Sequence, residues 1–196
     1  TGESVVGTLD VTGAITSTSD LTIADKIIHA GDTNTAVRFP AADTVSVETG
    51  GSEALRVDSS QRLLIGASSS VPIETNLGLS LQVLGTGFAD SSTLLGRFSA
   101  DTLAPCINFA KSRNTTIGNN TIVQDDDELG KIRFYGSDGA DLANYGAEII
   151  ASVDGTPGAD DMPGRLVFAT TADGGNSPTE RLRIDSTGKA TFTEDA

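Results

Sequence analysis

The sequence predicts an all-β fold built of hairpin and sandwich-like modules. Three observations lead there. Short runs alternate apolar and polar residues with period two, bounded by Gly, Asp, Asn and Pro. One strand–turn–strand unit is written twice, as SEALRVDSSQRLLI over 52–65 and TERLRIDSTGKATF over 179–192. Helical periodicity is nearly absent: ADLANYGAEII is the best candidate, but Gly146 interrupts it and Ala147–Val153 reads as a strand.

Residues 1–22 form a Thr/Ser/Gly-rich stem, expected to be extended. Residues 23–67 make a first β module, and the Ser-rich 68–78 reads as a linker. A larger module covers 79–193, with 194–196 as a tail. In that module LSLQVLG sets Leu79, Leu81 and Val83 against Ser80 and Gln82. GKIRFYG sets Ile132 and Phe134 against Lys131, Arg133 and Tyr135. GRLVFATT sets Leu166, Phe168 and Thr170 against Arg165, Val167 and Ala169. The stretches NTTIGNNTIVQDDDE and DGTPGADDMPG are too polar and too rich in Gly, Asn and Pro to be buried, so they are placed as surface loops.

The repeated hairpin has a mechanism. Leu182 and Ile184 face one way, Arg181, Arg183 and Asp185 the other, and Ala190 and Phe192 return to the apolar side. Asp185 is placed to accept from the backbone N–H groups ahead, and Gly188 to take a positive φ at little steric cost. In the earlier copy Asp58 holds the Asp position, but Gln61 fills the Gly slot. The left-handed conformation there costs about 1 kcal/mol if it is kept. A weaker echo, LDVTGAIT, offers Asp10 and Gly13 as the equivalent pair. Arg56 with Asp58, and Arg183 with Asp185, are expected to make cross-strand or inter-chain ion pairs.

Composition narrows function. The chain has 196 residues with 37% hydrophobics, 5% aromatics, 22 Gly and no Trp. That supply suits a thin β architecture, or a core shared with sister chains, better than a wide globular core. A net charge of −14 repels phosphate backbones and anionic membrane surfaces, so neither nucleic-acid binding nor membrane insertion is expected. No stretch approaches the roughly 20 apolar residues of a membrane-spanning helix. The single Cys106 excludes an intrachain disulfide, and LAPCINFA predicts a buried thiol. The first residue is not Met, so the chain is expected to be an excised or processed part of a longer one.

Catalytic parts are few. The one histidine, His29, alternates with Ile28 on an expected strand and reads as a surface residue. The acids Asp125, Asp126, Asp127 and Glu128, with Asp160 and Asp161, are where a glycosidase-like pair or a structural Ca²⁺ would be sought. Adjacent acids in polar loops are more often solvated, and Asp125–Glu128 lacks the spacing of a calcium loop. Neither an enzyme, nor a cofactor, nor a metal site is expected.

Taken in order, LGKIRFYGSDG, VDGTPGADDMPGRLVFATTADGGNSPTERLRIDSTGKATF and the 23–66 stretch resemble the repeat region of bacteriophage tail-fibre and related appendage proteins. The characteristic series is a G-x-I-x-F strand, a Pro/Gly-rich loop, a G-x-[LI]-x-F strand and E-R-[LM]-R-I-[DS]-S-x-G. Here these are Gly130–Phe134, Asp154–Gly164, Gly164–Phe168 and Glu180–Gly188. The resemblance implies elongated β structure in a parallel homotrimer, carried on the virion beside other tail or appendage proteins. It also implies a place upstream of a C-terminal intramolecular chaperone that is cleaved off, in fibres that have one. The function implied is a non-enzymatic shaft or host-attachment segment. The alternatives are a tip domain whose loops at 112–128 and 154–164 bind a host glycan or receptor, a head-decoration fibre, and a polysaccharide-depolymerising spike.

Overall fold

The computed structural model describes residues 7, 11–74 and 77–193. Among them are eleven strands and no helix. The chain divides into two compact units, 1–69 with 80–91, and 70–79 with 92–196. Each contains one sheet.

The first sheet runs in chain order: β1 (Lys26–His29), β2 (Asp32–Arg38), β3 (Val45–Thr49), β4 (Ser52–Val57), β5 (Leu63–Ile65) and β6 (Leu81–Val83). Successive strands are antiparallel until β6, which lies parallel to β5. The second sheet is an antiparallel meander of β7 (Glu128–Tyr135), β8 (Tyr145–Val153), β9 (Gly164–Thr170), β10 (Thr179–Ile184) and β11 (Ala190–Phe192). Tyr145–Val153 is thus a strand, for the reason the sequence offers: Gly146 spoils the helix, while Ile149 and Ile150 suit a pleated surface.

The two copies of the hairpin close with the same bonds. Asp58 N–H donates to Arg62 O (3.1 Å) and Gln61 N–H to Asp58 O (2.8 Å); Asp185 N–H donates to Lys189 O (3.1 Å) and Gly188 N–H to Asp185 O (2.9 Å). In each, the Asp Oδ1 accepts from the amides two and four residues on, Ser60 and Arg62 or Thr187 and Lys189. Gln61 sits at φ 61° and Gly188 at φ 81°, so the first turn keeps the left-handed conformation without the glycine. No heavy atom lies within 4 Å of a Cβ built on Gly188. Gly188→Gln is therefore expected to cost about 1 kcal/mol from backbone strain alone. Gln61→Gly should change stability in the opposite direction by less, because glycine also loosens the unfolded chain. Denaturant melts of the two variants check both signs.

The β5–β6 seam depends on Gly66. Leu84 N–H donates to Ile65 O (2.9 Å), which draws the Leu84 carbonyl to 2.2 Å from where a Cβ on Gly66 would stand. Gly66 also has φ 81°. Backbone strain and overpacking act together there, so Gly66→Ala is expected to cost about 2–4 kcal/mol. Faster hydrogen exchange at Leu84 than at Leu55 would report detachment of β6.

A domain usually buries apolar surface between two packed layers. Among the described residues few apolar side chains are buried: Ala36 and Leu64 in the first unit, and Val123, Val153, Val167 and Ala169 in the second. The sheets therefore carry most of their apolar residues elsewhere.

Candidate interaction surfaces

Following the register across the first sheet, Ile27, Val37, Val47, Leu55, Ile65 and Val83 form one row through all six strands. Val45, Val57, Leu63 and Leu81 form a parallel row on the same face. Across the second sheet the row is Ile132, Ile149, Phe168, Leu182 and Phe192, beside Gly130, Ala151, Leu166, Ile184 and Ala190. These are the faces that alternation marks as inward. In the chain they are open: Leu81 is 58% exposed, Phe134 54% and Phe192 75%. An uninterrupted apolar surface of this kind marks an interaction site, since burying each such side chain is worth about 1.5–3 kcal/mol.

The opposite faces close their ion pairs within the chain around the buried Leu64, Val167 and Ala169, while among the described residues the buried Ser46 hydroxyl finds no hydrogen-bond partner. Ser46 lies between Arg38 and Arg56, and Leu64 between Arg56 and Gln82. Arg38 donates to Glu48 (2.8 Å) and Asp25 (3.1 Å). Arg56 pairs with Glu53, and Arg183 with Glu180, at 2.7 and 2.8 Å. The expected carboxylates are used otherwise: Asp58 binds Arg62, and Asp185 holds its own turn.

The reason is a β-bulge. Residues three apart point to opposite faces of a regular strand. Ala54 and Arg181 are extra residues, because Val47 and Glu48 pair with Leu55 and Glu53, while Phe168 and Ala169 pair with Leu182 and Glu180. The inserted residue brings Glu(i) and Arg(i+3) to one side. The same device recurs in β7, where Leu129 is the extra residue and Glu128 meets Lys131 at 2.5 Å. Its sequence signal, E-x-x-[RK], also fits helical spacing, so alternation alone passes over it.

On the second polar face, Arg133 of the edge strand β7 gathers several partners. It donates to Glu74 (2.7 Å) and Glu148 (3.1 Å), and its guanidinium lies 4.5 Å from the Tyr145 ring centroid. The Tyr135 hydroxyl donates to the same Glu74 oxygen (2.6 Å). Burial, and then that bond, push the Tyr135 phenol above its ordinary range. Glu74 belongs to the segment read from sequence as a linker; its N–H donates to Leu142 O (3.3 Å).

The run 125–128 does not act as one acidic cluster. Asp125 accepts from Gly155 N–H (2.7 Å), Asp126 pairs with Arg165 (2.7 Å), Asp127 with Arg113 (2.6 Å), and Glu128 with Lys131. Asp127 also accepts from Gln124 N–H. The Arg113 guanidinium, then that amide, hold the Asp127 carboxyl well below its ordinary range. A group shifted down contributes stability above its unfolded pKa of about 3.9 and loses it as pH falls toward the folded value. The melting difference between wild type and Asp127→Asn should therefore be constant near neutrality and shrink below about pH 4. A pH-independent difference would contradict the clamp.

Of the remaining candidates, Asp160 and Asp161 lie in an exposed turn closed by Gly158 N–H to Asp161 O (3.0 Å). His29 is exposed at the end of β1. Cys106 is exposed, not buried: LAPCINFA lies outside any strand, and it is Phe109, over Gly130, that meets the second sheet. Gly13 lies in 11–25, which forms no strand, and Asp10 is outside the described residues. Among the described residues, no three or more His, Cys, Asp or Glu side chains gather as a metal site would need.

No model of a known protein family matches the chain, nor does any curated protein sequence. Solved structures do. The carboxy-terminal domain of the bacteriophage T5 L-shaped tail fibre with its intra-molecular chaperone domain matches at TM-score 0.65 and 16% identity, over 88% of this chain and 54% of that one. A second structure of that carboxy-terminal domain matches at TM-score 0.62 and 16% identity, over 88% of this chain and 78% of that one. The chain therefore spans about half of the first structure and shares its all-β fold.

Proposed function

We propose that the chain is a non-enzymatic structural segment of a bacteriophage fibre, a tail fibre or related virion appendage, in which three parallel copies cover one another's apolar sheet faces. The observation that carries this reading is the division of each sheet. The polar faces close their ion pairs within the chain, while apolar rows crossing every strand stay open. A lean composition fits, because three chains around one axis pool Leu, Ile, Val and Phe that are too few for separate wide cores. The shared fold with a phage tail-fibre domain supports the same reading.

A structural fibre segment has the virion as its location and other appendage proteins as neighbours. Host attachment would then fall to loops or to further segments of the fibre. Light scattering of the purified chain tests the reading: three chain masses, stable on dilution to micromolar concentration, are expected. A stable species of one chain mass would sink it.

A further inference from the structure

Residues 93–111 make no backbone–backbone hydrogen bond among the described residues. The stretch lies outside every strand, with a bend at 100–102 held by Asp101, which binds Arg97 and accepts from Leu103 N–H. Before the bend, Leu94, Gly96 and Phe98 share one side: a Cβ built on Gly96 would stand 3.6 Å from the Phe98 ring and 3.8 Å from Leu94. Leu94 is 87% exposed and Phe98 99%. A stretch without backbone hydrogen bonds that holds Leu94 and Phe98 in solvent has both amides and apolar groups to offer a partner.

After the bend, the chain meets the second sheet. Phe109 stands over Gly130, its Cγ 2.7 Å from where a Cβ would be, so only glycine admits the ring there. Ile107 and Phe109, with Gly130, Ile132, Ile149 and Leu166, border an open apolar groove of about 390 Å³ on the face whose rows are uncovered. That is ample for one aromatic side chain, yet the chain's own Phe98 stays in solvent.

We propose that residues 93–99 form an exchanged arm, with Phe98 of one copy seated in the groove beside Gly130 of the next copy. This rests on the trimeric reading above. Charge favours a second copy as occupant: within 92–110 the only charged residues are Arg97 and Asp101, which neutralise each other, while the whole chain carries −14. An arm whose one charge, Arg97, is paired with Asp101 approaches another acidic copy without repulsion. The contact joins two different surfaces, so it is heterologous, and three such contacts close a ring under threefold symmetry.

The test places the photo-crosslinker p-benzoylphenylalanine at position 98 of the full chain, where near-complete exposure leaves folding unaffected. Irradiation should give covalent dimers and trimers on denaturing gels, with adducts mapping to peptides of 129–132 and 149–166. Phe98→Asp should raise the concentration for half-assembly by about tenfold or more, as loss of an aromatic anchor does. A three-chain particle that yields only within-chain adducts, or adducts elsewhere, overturns the arm and leaves the trimer standing. A single-chain mass for the unsubstituted protein overturns both.

Discussion

Phe168→Asp is expected to give single chains in place of the three-chain particles proposed for the unsubstituted protein. Phe168 lies mid-row in the second sheet, between Ile149 and Leu182. An aspartate there would put one unpaired carboxylate per chain at an interface with no partner for it. Desolvating such a charge costs several kcal/mol, on top of the lost aromatic burial of about 3 kcal/mol. Val47→Asp should do the same from the first sheet, where Val47 stands between Val37 and Leu55. Arg183→Asp, one residue from the same row but on the polar face, should weaken its own sheet without this all-or-none loss of mass. Light scattering of the three variants at equal concentration separates the faces. Equal behaviour of Phe168→Asp and Arg183→Asp would argue that the apolar face is not the interface.

Arg133→Ala is expected to be the most damaging change on the polar faces. It removes the ion pairs to Glu74 and Glu148 and the contact with Tyr145. It also leaves Glu148, only 9% exposed, without a counter-charge. Removing one partner of a buried pair typically costs 3–5 kcal/mol, and the partial exposure of Arg133 and Glu74 places this case toward about 3 kcal/mol. Much of that cost is the stranded carboxylate. The double variant with Glu148→Ala should therefore be more stable than Arg133→Ala alone. Arg133→Lys should recover only part of the loss, because an ammonium cannot serve two carboxylates in the fixed fork geometry and lie flat over Tyr145. Thermal melts of wild type, Arg133→Ala, Glu148→Ala and the double variant form a cycle, and simple additivity would contradict the stranded-charge explanation.

Alternation alone identified which side of each strand is apolar. Ile132 against Arg133, Phe168 against Val167, and Leu182 against Arg183 all fall as the period-two pattern requires. The repeated turn was also readable, because Asp58 and Asp185 act over at most four residues. What escaped was set by distant pairing. Leu81–Val83 alternates correctly, yet nothing local says that it pairs in parallel with Leu63–Ile65. The bulges at Ala54, Leu129 and Arg181 arise from register against a neighbouring strand, so the partners of Arg56 and Arg183 could not be read two residues away. Alternation likewise assigns an apolar side without saying what covers it, and the apolar neighbours of Cys106 in LAPCINFA do not say whether anything packs over the thiol, which is exposed.

The central claim is that the apolar sides are interfaces between chains and the polar sides are not. Hydroxyl-radical footprinting of the assembled protein tests it most directly, with each residue's oxidation rate normalised to the unfolded chain. Ile117, fully exposed in its loop, serves as the unprotected reference. Phe134 and Phe192 should be strongly protected on assembly, despite exposures of 54% and 75% in the single chain. Rates for both close to that of Ile117 in the assembled particle would contradict the account.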